Sequence, residues 1–308
     1  MLNRIQRRIA FARRFIFQFR ESTATTLSRK FLENGVSADQ IRAEHLITTY
    51  QRLHRTAGAP DFETVNRMLP AQRDSVTDGT GSLWGVIVEV REHPALETVV
   101  NNFVDKAGIP VQLFHGRKNL DAIRSTSIAR LVDEGNVHLT QLDTDELGVR
   151  KYNALLMSEH FWKNTIGRNK ILVFQTDAVL CGSPVCNVNN FLSYDYVGSR
   201  WFRSRPVGLV INGGNGGLSL RDWKKSYECL KRFPSENWSG GEDGYFAFHI
   251  ELMGGKVGKG NVCSRFSTQF RYLYRSFGGH HISNLSRKER IAFLRYCPEA
   301  KFILKGVQ

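Results

Sequence analysis

An α/β fold, with a mainly parallel central sheet flanked by helices, is what this sequence predicts, on three observations. Short apolar runs suited to buried strands recur at 84–90, 110–114, 137–142 and 170–174. Segments of helical periodicity separate them, at 94–107, 123–133 and 152–164. The chain has 308 residues, 41% of them hydrophobic, enough to bury a sheet on both faces.

Taken in order, residues 1–78 read as a basic, mostly helical N-terminal extension. Arg4, Arg7, Arg8, Arg13, Arg14 and Arg20 surround an apolar stripe of Ile5, Ile9, Ala12, Ile16 and Phe19. That pattern suits a helix lying on an anionic membrane surface, or one packed on its own domain. Ser37 or Asp39 offers a helix start, and the Thr-Asp-Gly-Thr-Gly-Ser stretch at 77–82 reads as a boundary loop. The core domain then spans 79–285, opening with a β-α-β unit. A basic C-terminal segment, 286–308, begins with Ser286 and Glu289 spaced as a capping box.

The net charge of +14 implies attraction to a negative partner: nucleic acid, an anionic bilayer or a phosphorylated small molecule. No run approaches the roughly 18 apolar residues of a membrane span. Five cysteines without a CxxC pair read as reduced thiols of a cytoplasmic protein. A nucleic-acid-binding protein is the leading rival from another class, given the alternation of aromatic and arginine residues over 266–277. The basic residues are spread over both ends, however, and no known nucleic-acid motif occurs, so nucleic acid is not the favoured partner.

In a parallel sheet, ligands bind beyond the carboxyl ends of the strands. The residues there are Glu89 and Arg91, His115 and Arg117, Asp143 and Asp145, and Gln175 to Asp177. Asp177 directly follows the apolar run Lys-Ile-Leu-Val-Phe, where a carboxylate can hold a divalent cation bridging two phosphates or, alternatively, cap a turn. Asp143-Thr144-Asp145 has the better Asp-x-Asp spelling but reads as a solvated helix start. Gly216 and Gly217, in the Gly-rich run 211–221, permit close backbone approach to a hydroxyl or phosphate, or form a turn between strands. Trp238, Gly240, Gly241, Glu242 and Asp243 combine an aromatic ring, a glycine turn and two acids. That set suits a sugar site, and the acids also suit the first turn of a helix over 245–252.

In this order, a strand ending in an acid, a Gly-Gly-x-Ser stretch and Gly-Gly-Glu-Asp resemble the GT-A glycosyltransferase fold. Residues 238–243 are similar to the Trp-x-Gly-Gly-Glu-Asp motif of β-1,4-galactosyltransferases. Residues 84–282 more broadly resemble an uncharacterised glycosyltransferase-like domain family of microbes, fungi and large viruses. The resemblance implies a nucleotide-sugar donor and a glycan or lipid-linked acceptor. It places Asp177 at the last acid of the Asp-x-Asp motif, which binds Mn²⁺ or Mg²⁺ and the diphosphate, with His280 or His281 completing the metal site. Gln175 stands where the first acid of that motif belongs, so metal dependence is the open point, and a catalytically silent member of the fold is a second rival. Asp243 falls at the base of inverting members, and Glu242, with Gly216, Gly217, Trp238, Gly240 and Gly241, on the acceptor side. Glu89 and Arg91 fall where the nucleotide base is received, and Tyr152, Asn153 and Gln175 face the donor crevice. Arg221 pairs with a phosphate or neutralises a surface carboxylate. The basic N-terminal helix and basic C-terminal segment fit such an enzyme docked on an inner membrane leaflet, serving surface polysaccharide assembly.

Overall fold

In the computed structural model, residues 60–71, 83–182, 185–202, 212–233, 235–238 and 240–305 are described. The basic helix of the first twenty residues, the start at Ser37 or Asp39 and the 77–82 loop lie outside them. The first described element, α1 (Phe62–Met68), is capped by Asp61, whose side chain accepts from the Thr64 N–H. Val65 and Leu69 pack into the core of the main domain.

All four predicted strands form: β1 (Leu83–Glu89), β2 (Val111–His115), β3 (Val137–Gln141) and β4 (Lys170–Phe174). They pair in parallel in the order β3-β2-β1-β4. Alternation across the sheet sends Val86, Val88, Ile171 and Val173 into one buried cluster, and Ile87, Leu172 and Phe174 into another. Two buried faces explain why these runs read as continuous apolar stretches.

The helices are more broken than their periodicity predicts. α2 (Leu96–Ala107) forms as expected. The 123–133 helix is instead α3 (Leu120–Arg124) and α4 (Ile128–Asp133). Between them Thr126 donates to the Ile123 carbonyl and Ser127 to Glu97, so hydroxyls take over groups a continuous helix would use. The 152–164 helix is likewise α5 (Val149–Leu156) and α6 (Glu159–Asn164), because Ser158 caps the second. Asp143 and Asp145 do not start a helix. Asp145 accepts from the Arg117 and Lys118 N–H groups, and the Arg117 guanidinium meets Asp143 at 3.0 Å, fastening the loop after β3 to the loop after β2.

Two antiparallel strands complete the sheet beyond β4. After β5 (Ala178–Leu180) and β6 (Tyr196–Ser199), the Gly-rich run becomes β7 (Asn215–Asp222), which lies between β4 and β6. α7 (Trp223–Arg232) follows, and then α8 (Glu242–Leu252), in which every residue is buried. A helix buried on all sides belongs inside a core, and α8 fills the space beneath the sheet with Tyr245, Phe246 and Ile250. α9 (Asn261–Phe266) leads into β8 (Ser267–Thr268), and β9 (Gly278–His280) joins β5 and β8 in a small second sheet. α10 (Arg287–Tyr296) starts at Ser286 as expected, and Phe293 anchors it to the core ahead of α11 (Ala300–Lys305). All five cysteines are buried and free. Among the described residues, no helix is long and apolar enough to cross a membrane.

Candidate active site

β4 delivers Gln175-Thr176-Asp177 to the carboxyl edge of the sheet, and a turn closed by the Ala178 N–H on the Gln175 carbonyl leads into β5. β5 pairs antiparallel with β9, with Ala178 opposite His280. That register brings two histidines onto one carboxylate from about a hundred residues away. His280 Nε2 lies 3.1 Å from Asp177 Oδ1, and His281 Nδ1 lies 2.8 Å from Oδ2. His281 holds its position in the left-handed region, φ 49°, which is uncommon for a residue with a side chain. Burial works to raise the Asp177 pKa, but the His280 and His281 imidazoles, one beside each oxygen, bring it down to about 2.

The second acidic centre lies at the amino end of α8, where acids complement the helix dipole. Asp243 is 6% exposed. Its Oδ2 accepts from Asn215 Nδ2 at 3.1 Å and the Gly216 N–H at 3.3 Å, and its Oδ1 from the Gly244 N–H at 2.7 Å. Glu242 is differently employed. Both of its oxygens engage the guanidinium of Arg221, at 2.5 and 3.0 Å, in a pair closed to solvent. The Tyr196 and Phe246 rings both lie against the same guanidinium. Burial works to lower the Arg221 pKa, and the Glu242 charge holds it above the ordinary guanidinium value. Arg221 therefore neutralises a carboxylate, in the interior and not on the surface, and Glu242 ties α8 to β7. In this position Glu242 does not present its carboxylate to an acceptor.

The start of β7 runs between the two centres. A Cβ on Gly216 would meet Glu242, Arg221 and Asp243, while one on Gly217 would overlap the His280 ring. These glycines are needed for close packing of side chains on both sides of one strand. Tyr152 spans the same gap: burial and the Glu242 charge push its phenol upward, while a hydrogen bond with Gln175 opposes them. Asn153 Oδ1 accepts the Glu242 N–H at 3.1 Å, a capping contact at the start of α8. At the end of β1, buried Glu89 binds Arg91 through both oxygens at 2.8 Å. The Arg91 side chain remains 65% exposed, so of this pair the guanidinium is the group open to solvent.

Trp238 corrects a further expectation. It is 3% exposed, its ring lies against Tyr245, Phe248 and His249, and its Nε1–H donates to the Gly241 carbonyl at 2.9 Å. No face is open for a sugar to stack on. The Trp-x-Gly-Gly-Glu-Asp stretch is an anchor for the amino end of α8, with Gly241 as its cap residue and Gly240 in the turn before it.

Two participants were not singled out from the sequence. His93, four residues past the end of β1, lies within the fields of both Glu89 and Asp177, and burial lowers its pKa. Asn215 orients Asp243 and accepts the Gly217 N–H. Placement just beyond a strand end, and just before a glycine pair, were the available signals. A charged cavity of about 320 Å³, lined by residues including Arg168, Asp195 and Lys225, lies at the amino end of β4, the end opposite Asp177.

Among the described residues, no three His, Cys, Asp or Glu side chains form a metal-holding group. Gln175 changes that count. His280 Nε2 stands 3.2 Å from Gln175 Oε1 as well as 3.1 Å from Asp177 Oδ1, and Oδ1 is buried with no hydrogen bond. A carboxylate oxygen, an amide oxygen and an imidazole nitrogen form a donor set suited to Mg²⁺ or Mn²⁺. Its geometry selects His280. His281 lies on the other oxygen and holds the carboxylate from behind.

A family described as a protein of unknown function, DUF5672, matches residues 136–280. Curated proteins give no match. Similar solved structures include the apo-form glycosyltransferase GlyE of Streptococcus pneumoniae TIGR4, at 12% identity over 73% of this chain and 63% of that one, TM-score 0.41. A nucleoside-diphosphate-sugar pyrophosphorylase from Vibrio cholerae RC9 is 13% identical over 57% and 90% of the two chains, TM-score 0.38. S. aureus TarS 1–349 in complex with UDP-GlcNAc is 13% identical over 58% and 55%, TM-score 0.34.

Proposed function

We propose that this protein is a glycosyltransferase that moves a sugar from a nucleotide-sugar donor to a hydroxyl acceptor with inversion. One observation carries the reading: Asp243 and the Gln175–Asp177–His280 cluster lie on either side of the Gly216–Gly217 pair, at the carboxyl edge of a mainly parallel sheet. The donor's diphosphate belongs on the Asp177 side, with the exposed Arg91 guanidinium toward the nucleotide. The acceptor hydroxyl belongs on the Asp243 side.

Asn215 and the Gly216 and Gly244 N–H groups fix the Asp243 carboxylate in one orientation as an anion. It takes the acceptor's proton as the oxygen attacks the anomeric carbon. The bond from that carbon to the diphosphate breaks, and its electron pair leaves with the phosphate oxygen. A general base in this role contributes about 10²–10⁴-fold. Glu242 and Arg221 hold the helix start that carries the base. A divalent cation held by Gln175, Asp177 and His280 supplies positive charge against the departing diphosphate when bound. A glycan or lipid-linked acceptor, in surface polysaccharide synthesis at an anionic inner leaflet, belongs to the same proposal.

Purified wild-type and Asp243→Asn proteins, assayed for transfer and donor hydrolysis with UDP-, GDP- and dTDP-sugars, test it. The variant should lose about 10²–10⁴-fold in turnover while its thermal shift with the nucleotide persists. Equal turnover in the two proteins overturns the assignment of the base.

A further inference from the structure

We infer that Gln175 makes this site take a divalent cation and a nucleoside diphosphate only as a unit, the phosphates supplying the charge that the protein omits. The inference rests on the nucleotide-sugar reading and specifies how that donor is held.

The argument begins with charge. The three convergent donors, Gln175 Oε1, Asp177 Oδ1 and His280 Nε2, carry a single negative charge among them. That charge is already shared, because Asp177 Oδ2 accepts from His281 Nδ1 at 2.8 Å. The neighbouring acids are engaged elsewhere. Glu242 is paired with Arg221 inside the protein, Asp243 is held by Asn215 and the Gly216 and Gly244 N–H groups, and Glu89 is paired with Arg91. Hard cations of this size are held by one or two carboxylates completed by substrate phosphates, not by neutral donors alone.

Geometry supports the same conclusion. Neighbouring ligands on an octahedral ion with bonds of about 2.1 Å stand about 3.0 Å apart. His280 Nε2 lies 3.1 and 3.2 Å from its two companions, spacings that neighbouring ligands of such an ion also have. The cluster has little room to recruit another protein ligand. The His280 ring packs against the Gly217 backbone, where even a methyl group would overlap it, and the Gln175 N–H donates to the Gly217 carbonyl at 3.0 Å. Tyr152 shares a hydrogen bond with the Gln175 side chain. The buried Asp177 Oδ1, without a hydrogen bond, is the atom that a cation arriving with its phosphates would satisfy.

Mn²⁺ binding to the full chain, followed by the electron paramagnetic resonance signal of the free ion, tests the inference without any assay of turnover. Titrations are made with the protein alone, with UMP, and with UDP, GDP or dTDP. For the wild type, a diphosphate that binds should tighten Mn²⁺ at least about tenfold and UMP should not, while Gln175→Asp should bind Mn²⁺ alone about tenfold more tightly than wild type. Wild type holding Mn²⁺ alone as tightly as with the diphosphate overturns the inference, as does a folded Gln175→Asp protein with unchanged affinity. Calorimetry of the nucleotides separates the two failures. A diphosphate that binds equally with and without Mn²⁺ removes this inference and leaves the glycosyltransferase reading intact. If none of the three diphosphates binds under either condition, both are overturned.

Discussion

Asp177 and Asp243 lie on either side of the same two glycines, yet their surroundings are opposite in kind. Asp243 is held by an amide and two backbone N–H groups, and its neighbour Glu242 is locked to Arg221, so the amino end of α8 is complete within the protein. Asp177 is met by two imidazoles carried in on β9, and one of its oxygens is buried without a hydrogen bond. The first arrangement is set before any ligand arrives. In the second, two histidines share a carboxylate, and one of its oxygens keeps unused hydrogen-bonding capacity.

The largest effect should come from breaking the finished side. Glu242→Gln strands the Arg221 guanidinium in the core and should cost about 3–5 kcal/mol, read by urea denaturation. The double change Arg221→Met with Glu242→Leu should recover most of that loss. A loss below about 1 kcal/mol for Glu242→Gln would show that water reaches the pair, and the contrast between the two centres would shrink.

Acid titration probes the other side. The folded Asp177 pKa, about 2, lies below the ordinary value of 3.8. Its contribution is therefore fully present above pH 3.8 and is lost as pH falls toward 2, amounting to about 2 kcal/mol. The stability difference between wild type and Asp177→Asn should shrink by that amount between about pH 5 and about pH 2. A pH-independent difference would mean that the two histidines do not lower the Asp177 pKa.

Asn153→Ala should have the smallest effect, about 1 kcal/mol, because it removes one acceptor from the Glu242 N–H. Thermal unfolding measures it. A larger loss would make Asn153 part of the Arg221–Glu242 centre and not just a cap for α8.

Much of this architecture is legible in the sequence. The strands show as apolar runs because each is buried on two faces, and Asp177 stands out because an acid ends such a run. Helix breaks were less visible, since Ser127 and Ser158 act through particular hydrogen bonds to Glu97 and His160 that periodicity does not encode. Trp238 was misread because an indole suited to a sugar face is equally suited to a core, and burial of its large apolar area prevailed.

By itself, the sequence determined where the four parallel strands and α2 form and that Asp177 follows the end of β4, since those outcomes follow from periodicity and backbone preference over a few residues. Only the tertiary structure decided the partners. The β5–β9 register assigned His280 to Asp177 Oδ1 and His281 to Oδ2. The approach of α8 to β7 gave Glu242 to Arg221 and left Asp243 beside Gly216. Each choice joins groups well separated along the chain, where distance in space, burial and the need to pair a charge decide the match.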